Sequence, residues 1–210
     1  MATRSLPSKT EELRASPQMF DSPSLDRLSR VHPAVPLILY APVIALLLAT
    51  SLRRMTDGSV LLAVAAGYAL WTLTEYWMHR VVFHFEPVDG IGARLHWIIH
   101  GVHHDHPNDS RRLVMPPSVS IPLALLFALV FLAALGTPTA WPVLAGFLAG
   151  YLVYDMTHYH LHHHMPRTRA GRLLRELHMR HHFQDDTTGF GVSAPYWDRV
   201  FKTASRRARR

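Results

Sequence analysis

Histidine is the residue type in this chain best suited to chemistry, with 16 copies among 210 residues. Most copies fall in four short motifs: HRVVFH at 79–84, HGVHH at 100–104, HYHLHHH at 158–164 and HMRHH at 178–182. Neutral imidazole binds Fe, Zn, Cu and Ni. Because the sequence contains no cysteine, any metal site has to use His, Asp or Glu ligands. The motifs therefore predict a metal centre built mainly from imidazole.

The spacing inside the motifs indicates which imidazoles can act together. Residues three and four apart lie on one helical face, and this spacing occurs within the second motif, within the fourth motif and between His158 and His162. His79 and His84 are five apart and would diverge on an ideal α-helix, so we expect a bend or a helix end between them. Together these pairs and triplets give ten imidazoles that can converge.

Ten imidazoles are enough for two metal ions with about five nitrogens each, whereas a structural zinc site needs only four ligands. Such a set leaves an open position on each metal, which a catalytic site requires. Two metals without thiolate ligands favour oxygen chemistry, because breaking an unactivated C–H bond needs a strong oxidant made from O₂. A pair of iron ions can supply the electrons, and an apolar pocket around them excludes water.

Long apolar segments position these motifs. The chain is 49% hydrophobic and 18% charged, and residues 33–52 carry no charge, which is long enough to cross a bilayer as a helix. A second apolar run covers 59–80, and the uncharged stretch 113–154 is interrupted by the turn sequence GTPTAWP at 136–142. We therefore predict an all-α integral membrane protein with four transmembrane helices in two hairpins and a cytoplasmic, helical, His-rich cap.

Charge placement predicts the orientation and the boundaries of the chain. Of the 22 basic residues, only Arg53 and Arg54 lie in the predicted turns between paired helices, so the positive-inside rule places both termini and the histidines in the cytoplasm. Residues 1–32 are expected to form a polar arm that is disordered or interfacial. Residues 33–203 are expected to form the membrane-embedded di-metal domain, and 204–210 a basic tail that is solvated or touches anionic lipid.

Four stretches carry a resemblance to a known family: EYWMHRVVFH, LHWIIHGVHHDHPNDSRRLVMPP, YDMTHYHLHHHMP and HMRHHFQDDTTGFGVSAPYWDRVFKT. In this order they resemble the fatty acid hydroxylase/sterol desaturase superfamily, from about Trp71 to Thr203, and the chain is most similar to fatty acid 2-hydroxylases. The resemblance implies an O₂-dependent di-iron enzyme that introduces a hydroxyl at C2 of a free or sphingolipid-linked fatty acyl chain. The metal ligands that it implies are His79, His84, His100, His103, His104, His158, His162, His178, His181 and His182.

Carboxylates that could orient these imidazoles lie nearby. Glu75 is four residues before His79, and Asp155 is three before His158, so each shares a helical face with its histidine; interfacial charges are the alternative reading. Two looser candidates follow the second motif: Asp105 and Asp109. The glycines of GFGV at 189–192 could let the backbone pass close to the site.

The resemblance also implies cofactors and partners. Two Fe ions and O₂ are expected, and zinc could occupy the same ligands in a purified sample. Many fatty acid 2-hydroxylases carry an N-terminal cytochrome b5 domain; residues 1–30 are too short to form one, so we expect a separate electron donor, cytochrome b5-like or a ferredoxin. The other expected partners are a lipid or fatty acyl substrate and the membrane, without nucleic acid.

Some histidines and some functions remain open alternatives. We expect five histidines to orient a ligand, face substrate or lie at an interface rather than bind metal: His96, His106, His160, His163 and His164. His32 lies before the first predicted membrane helix and is expected to be structural. A sterol- or carotenoid-type oxidase or desaturase of the same superfamily is the alternative enzyme. A membrane metal transporter is a more remote alternative, which predicts polar ligands midway along the helices.

Overall fold

The computed structural model describes residues 8–205, and this part of the chain is helical and contains no β-strand. The elements are α1 (Lys9–Arg14), α2 (Pro23–Leu28), α3 (Val35–Leu52), α4 (Asp57–Trp77), a π-helix π1 (Met78–Phe83), α5 (Gly90–His96), a second π-helix π2 (Trp97–Gly101), α6 (Val102–Asp105), α7 (Pro117–Leu135), α8 (Ala140–His163), α9 (Arg169–Phe183) and α10 (Tyr196–Val200). The all-helical class predicted from the sequence is confirmed.

Three segments of the described chain are long and apolar enough to cross a membrane: Val35–Leu52, Asp57–Phe83 and Pro117–Leu135. The turns between paired helices lie at 53–56 and 136–139, within the turn sequences predicted from composition. Helix α8 has 24 residues and is about 36 Å long, but it is not among the three. Its side chains are mostly buried, and its final turns carry histidines.

Helix α8 is the centre of the bundle and packs against α3, α4 and α7. Its closest approach is to α4, at glycines on both helices. A Cβ on Gly67 would lie 2.0 Å from the carbonyl oxygen of Val143, and one on Gly146 would lie 2.0 Å from that of Val64. Small residues at such positions let two helix backbones approach closely, so the GFLAG sequence at 146–150 fixes the distance between the helices that carry the first and third histidine motifs.

The N-terminal arm is folded onto the histidine-bearing elements between residues 8 and 32. Helix α1 begins with a capping box formed by Ser8 and Glu11, and the imidazole of His106 contacts the carbonyl oxygen of Glu12 at 2.6 Å. Farther along, the amide of Val31 donates to the carbonyl of Arg111 at 2.7 Å. Of the two expected alternatives, a disordered or an interfacial arm, residues 8–32 are not the disordered one, because groups from distant segments hold them in place. Residues 1–7 and most of the predicted basic tail, 206–210, lie outside the described residues.

Candidate metal centre

The ten imidazoles predicted to converge lie in two groups of five. Within each group, one nitrogen from every ring lies within 4.8 Å of the corresponding nitrogens of the other four. We call them the first and the second histidine group. The first group is His79, His84, His100, His104 and His181. The second group is His103, His158, His162, His178 and His182.

A π-helix brings the first motif into the first group. In π1 the backbone amide of His84 donates to the carbonyl of His79 at 3.2 Å, an i to i+5 bond. This wider turn places residues five apart on one face, and the two imidazole centroids are 5.0 Å apart. Of the two expected alternatives, a bend or a helix end, the helix end is present, because π1 ends at Phe83 and His84 caps it. The turn before this end is widened, which is a common feature of functional sites.

The second and fourth motifs each contribute to both groups. His100 and His104 are four apart and join the first group, whereas His103 between them joins the second. In α9 the arrangement is reversed, because His178 and His182 join the second group and His181 joins the first. The two groups therefore share two helical segments and lie side by side.

The ring nitrogens meet in the way that ligands of a common metal ion would. Nε2 of His84 lies 3.0 Å from Nε2 of His181, and Nε2 of His162 lies 2.8 Å from Nε2 of His178. Two nitrogens that are each about 2.1 Å from one metal ion and at right angles to each other would be about 3 Å apart. This donor set, five neutral nitrogens in each group, fits a pair of transition-metal ions.

Burial keeps the imidazoles in the neutral form that binds metal. It lowers the pKa of His84 to about 3 and that of His104 to about 2, and the neighbouring imidazole of His181 adds to both effects. Burial also holds the pKa values of His103 and His178 well below the usual range for histidine. A ligand that is already deprotonated near neutral pH does not have to release a proton before it binds metal.

Backbone carbonyls orient two rings of the first group. Nδ1 of His79 lies 2.7 Å from the carbonyl oxygen of Phe190, and Nδ1 of His181 lies 2.8 Å from that of Thr188. A carbonyl oxygen can only accept, so Nδ1 carries the proton and Nε2 presents its lone pair to the site. As the GFGV glycines predicted, the backbone passes close to the site here: Gly189 has φ 76°, and a Cβ on Gly191 would lie 2.5 Å from the carbonyl oxygen of Ala194.

Two buried carboxylates hold this loop in turn. Asp198 accepts hydrogen bonds from the amides of Phe190 and Gly191 at 2.8 and 2.9 Å. Glu75 accepts from the amide of Ser193 at 2.7 Å and from its hydroxyl group. Asp198 was not singled out from the sequence, because a carboxylate that binds backbone amides seven and eight residues away has no motif of its own.

The carboxylates predicted to orient imidazoles make other hydrogen bonds. Glu75 binds Ser193 rather than His79, so it acts on that ring through the loop. Asp155 accepts from the hydroxyl of Tyr151 at 3.2 Å, and Asp109 accepts from the amide of Arg111 at 3.0 Å. Helical spacing brings a carboxylate near a histidine, but here hydroxyl and backbone amide groups donate to the carboxylate oxygens instead. The remaining candidate, Asp105, accepts from the indole of Trp97.

The six other histidines lie outside both groups. Nδ1 of His32 accepts from the amide of Ala34 at the start of α3. His160 stacks on His164, and His163 packs against Tyr159, all near the end of α8. His96 lies close enough to His84 to lower the pKa of that ring.

Two apolar cavities lie next to each other in the bundle, and one of them reaches the histidines. The larger, about 410 Å³, is lined by His100, His103 and His158 and therefore touches both histidine groups. The smaller, about 210 Å³, lies among aromatic side chains that include Trp71 and Phe147. Five residues line both cavities: Met78, Phe83, Met115, Leu123 and Tyr154. The larger volume is in the range typical of small-molecule sites.

Comparison with known proteins identifies the family. The sequence profile described as fatty acid hydroxylase matches residues 64–203. Dihydroceramide fatty acyl 2-hydroxylase FAH2 of Arabidopsis thaliana is 39% identical over 191 residues, which cover 89% of this chain and 79% of the plant protein. Ceramide very long chain fatty acid hydroxylase SCS7 of Saccharomyces cerevisiae is 35% identical, over 79% of this chain and 44% of the yeast protein.

A solved structure has the same fold. It is described as full-length scs7p with only the hydroxylase domain visible, and it is 34% identical to this chain. The two superimpose with a TM-score of 0.83, over 87% of this chain and 70% of the other. The profile match and these identities show that the chain belongs to the fatty acid hydroxylase family, whose members are oxidoreductases.

Proposed function

We propose that this protein is a di-iron membrane enzyme that uses O₂ to introduce a hydroxyl group at C2 of fatty acyl chains, free or linked to a sphingolipid. The observation that carries the proposal is the contact between the larger cavity and imidazoles of both histidine groups. The relatives named as fatty acyl and ceramide 2-hydroxylases support C2 as the position and ceramide-type lipids as the substrate class.

The residues of this chain have three tasks in such a reaction. The ten imidazoles would hold two iron ions, which supply the redox chemistry of O₂ activation when they are bound; zinc fits the same donors. The apolar cavity walls would align an acyl chain beside the histidines and exclude water. The loop 188–193 would keep the rings of His79 and His181 in a fixed orientation.

The reaction balances only with an external reductant. One oxygen atom of O₂ is inserted into the C–H bond at C2, and the other leaves as water after it takes up two electrons and two protons. The electrons would come from a separate one-electron carrier protein of the cytochrome b5 or ferredoxin class. The basic charge of the chain suits an acidic donor.

The membrane arrangement follows from the three apolar spans and from α8. We infer that α8 is a fourth span that the other helices shield from lipid, so that two hairpins place the histidine groups at one face of the bilayer. The positive-inside rule favours the cytoplasmic face for the histidines and both termini.

Lipid analysis of a host that expresses the protein tests the proposal. We expect 2-hydroxy fatty acyl species to appear in the ceramides or free fatty acids, and to be absent with the vector alone and with the variant His181→Ala. Sterols and carotenoids should be measured in the same extracts. Oxidised sterol or carotenoid without 2-hydroxy acyl lipid would replace the proposed substrate, and metal uptake without any oxidised lipid would favour a transporter.

A further inference from the structure

Several apolar side chains on the histidine-bearing side of the molecule are both exposed and part of the larger cavity. On α2, Leu25 is 52% exposed and Leu28 is 60% exposed. On the π-helices, Val82 of π1 is 42% exposed and Ile99 of π2 is 51% exposed. All four line the larger cavity. A side chain that faces both the cavity and the outside lies at an opening, so these residues form a rim, with α2 on one side and the π-helices on the other.

One carboxylate, that of Asp26, holds the α2 side of this rim through hydrogen bonds and ion pairs. Asp26 accepts from the amide of Met19 at 2.7 Å, from the guanidinium of Arg112 at 2.8 Å and from that of Arg30 at 3.0 Å. The Arg112 side chain is itself buried and lines the cavity, and it also donates to the carbonyl of Pro17. Asp26 therefore ties the arm and α2 to the segment that follows the second histidine motif.

The chemistry of the rim indicates what it faces. Its apolar side chains continue the exposed apolar surface of Asp57–Phe83, a segment long and apolar enough to cross a membrane, where Val81 and Val82 are exposed at the end that carries the histidines. The cavity behind the rim is apolar and ends at imidazoles of both groups. A surface that continues a membrane span favours lipid as its occupant over a protein partner.

We propose that this rim is a lipid-facing portal, through which an acyl chain moves from the adjacent leaflet into the larger cavity, and that Asp26 holds the α2 wall of the portal in position. The identity of the moving group as an acyl chain rests on the function proposed above. The position of the rim in lipid does not depend on the proposed function. The portal and the proposed function can therefore be tested separately.

The absence of native cysteine allows the position of the rim to be measured directly. Leu28→Cys is labelled with bimane in the otherwise unchanged full chain and reconstituted into phosphatidylcholine vesicles that contain nitroxide-labelled lipid. Leu46→Cys, exposed on the span α3, gives the signal of a lipid-facing site, and Arg169→Cys, exposed at the start of α9, gives that of a water-facing site. We expect a fluorescence loss at Leu28 comparable with that at Leu46. Quenching at Leu28 no greater than at Arg169 would show that the rim faces water, as a protein-binding surface would, and would overturn the portal.

The role of Asp26 is tested by kinetics with acyl substrates in the same vesicles. We expect Asp26→Asn to raise KM by about 10-fold, because it removes the charge that pairs with Arg112 and Arg30, and to change kcat less than KM. Asp26→Glu should restore part of the loss, and the exposed neighbour Asp21→Asn is the matched control. An unchanged KM in Asp26→Asn would refute the positioning role. Lipid quenching at Leu28 with no hydroxylated product in the wild type would leave the portal standing and refute the proposed function.

Discussion

The two histidine groups contain the same number of imidazoles but are held by different parts of the chain. In the first group, His79 and His181 each bind a backbone carbonyl of the loop 188–190. In the second group, the Nδ1 atoms of His162, His178 and His182 are buried and have no hydrogen-bond partner within residues 8–205. The second group instead takes four of its five rings as i, i+4 pairs on α8 and α9.

This difference separates two ways of orienting a metal ligand. The first group depends on a loop close to the C-terminus, and through it on Asp198 and Glu75. The second group depends on helix geometry and on the packing of α8 at the centre of the bundle. Changes in the loop should therefore affect the first group alone, whereas loss of a ligand should disable either group equally.

The largest expected effect is the loss of one ligand from either group. His181→Ala removes a ring of the first group and His103→Ala a ring of the second, and each should lower product formation by more than about 100-fold. Elemental analysis should show the metal content falling from two ions per chain towards one in both variants. His160→Ala, at a histidine outside both groups, is the control. Full activity in either ligand variant would remove that group from the site.

Acid should lower the free energy of unfolding of the metal-free protein, because the buried imidazoles bind protons only when the chain unfolds. The folded-state pKa of His104 is lowered to about 2 by burial and by His181, so below pH 6.5 the unfolded chain binds a proton that the folded chain does not. Stability is retained above pH 6.5 and lost as the pH falls, by about 2 kcal/mol at pH 5 for one such imidazole. Thermal unfolding of chelator-treated protein between pH 7.5 and pH 5 measures this. A midpoint that rises on acidification would contradict the neutral state assigned to the rings.

The carboxylate under the loop should act on one group only. Asp198→Asn replaces one of two acceptor oxygens with a donor, which faces a backbone amide, and we expect metal in the first group to bind about 10-fold more weakly. Metal in the second group should be retained. Asp89→Asn, at an exposed carboxylate before α5 and away from the loop, is the control. Equal loss from both groups would show that the loop does not distinguish them.

The smallest effect is expected from a glycine in the same loop. Gly189 has φ 76°, and a Cβ there would lie 2.8 Å from the hydroxyl of Ser205. Gly189→Ala should therefore lower the free energy of unfolding by about 1–2 kcal/mol and weaken the first group. Gly58→Ala meets no neighbouring atom and should be close to neutral. Denaturant unfolding compares the two, and equal stability of both variants would argue against a strained loop.

Much of the site could be predicted from the sequence because helical spacing is a local property. The i, i+3 and i, i+4 histidines identified the converging rings, and uncharged runs located the spans. The wider turn at His79–His84 could not be predicted, since a π-helix has no residue signature. In the first histidine group, backbone carbonyls orient His79 and His181. Every residue carries a carbonyl, so the sequence could not identify these two. The position of the arm depends on a pairing between Asp26 and Arg112, 86 residues apart.

Anomalous diffraction at the iron absorption edge, from crystals of iron-loaded protein, tests the central claim most directly. The account predicts two peaks, one among the Nε2 atoms of the first histidine group and one among those of the second. A single peak, or peaks away from these nitrogens, would contradict a centre in which ten imidazoles hold two metal ions.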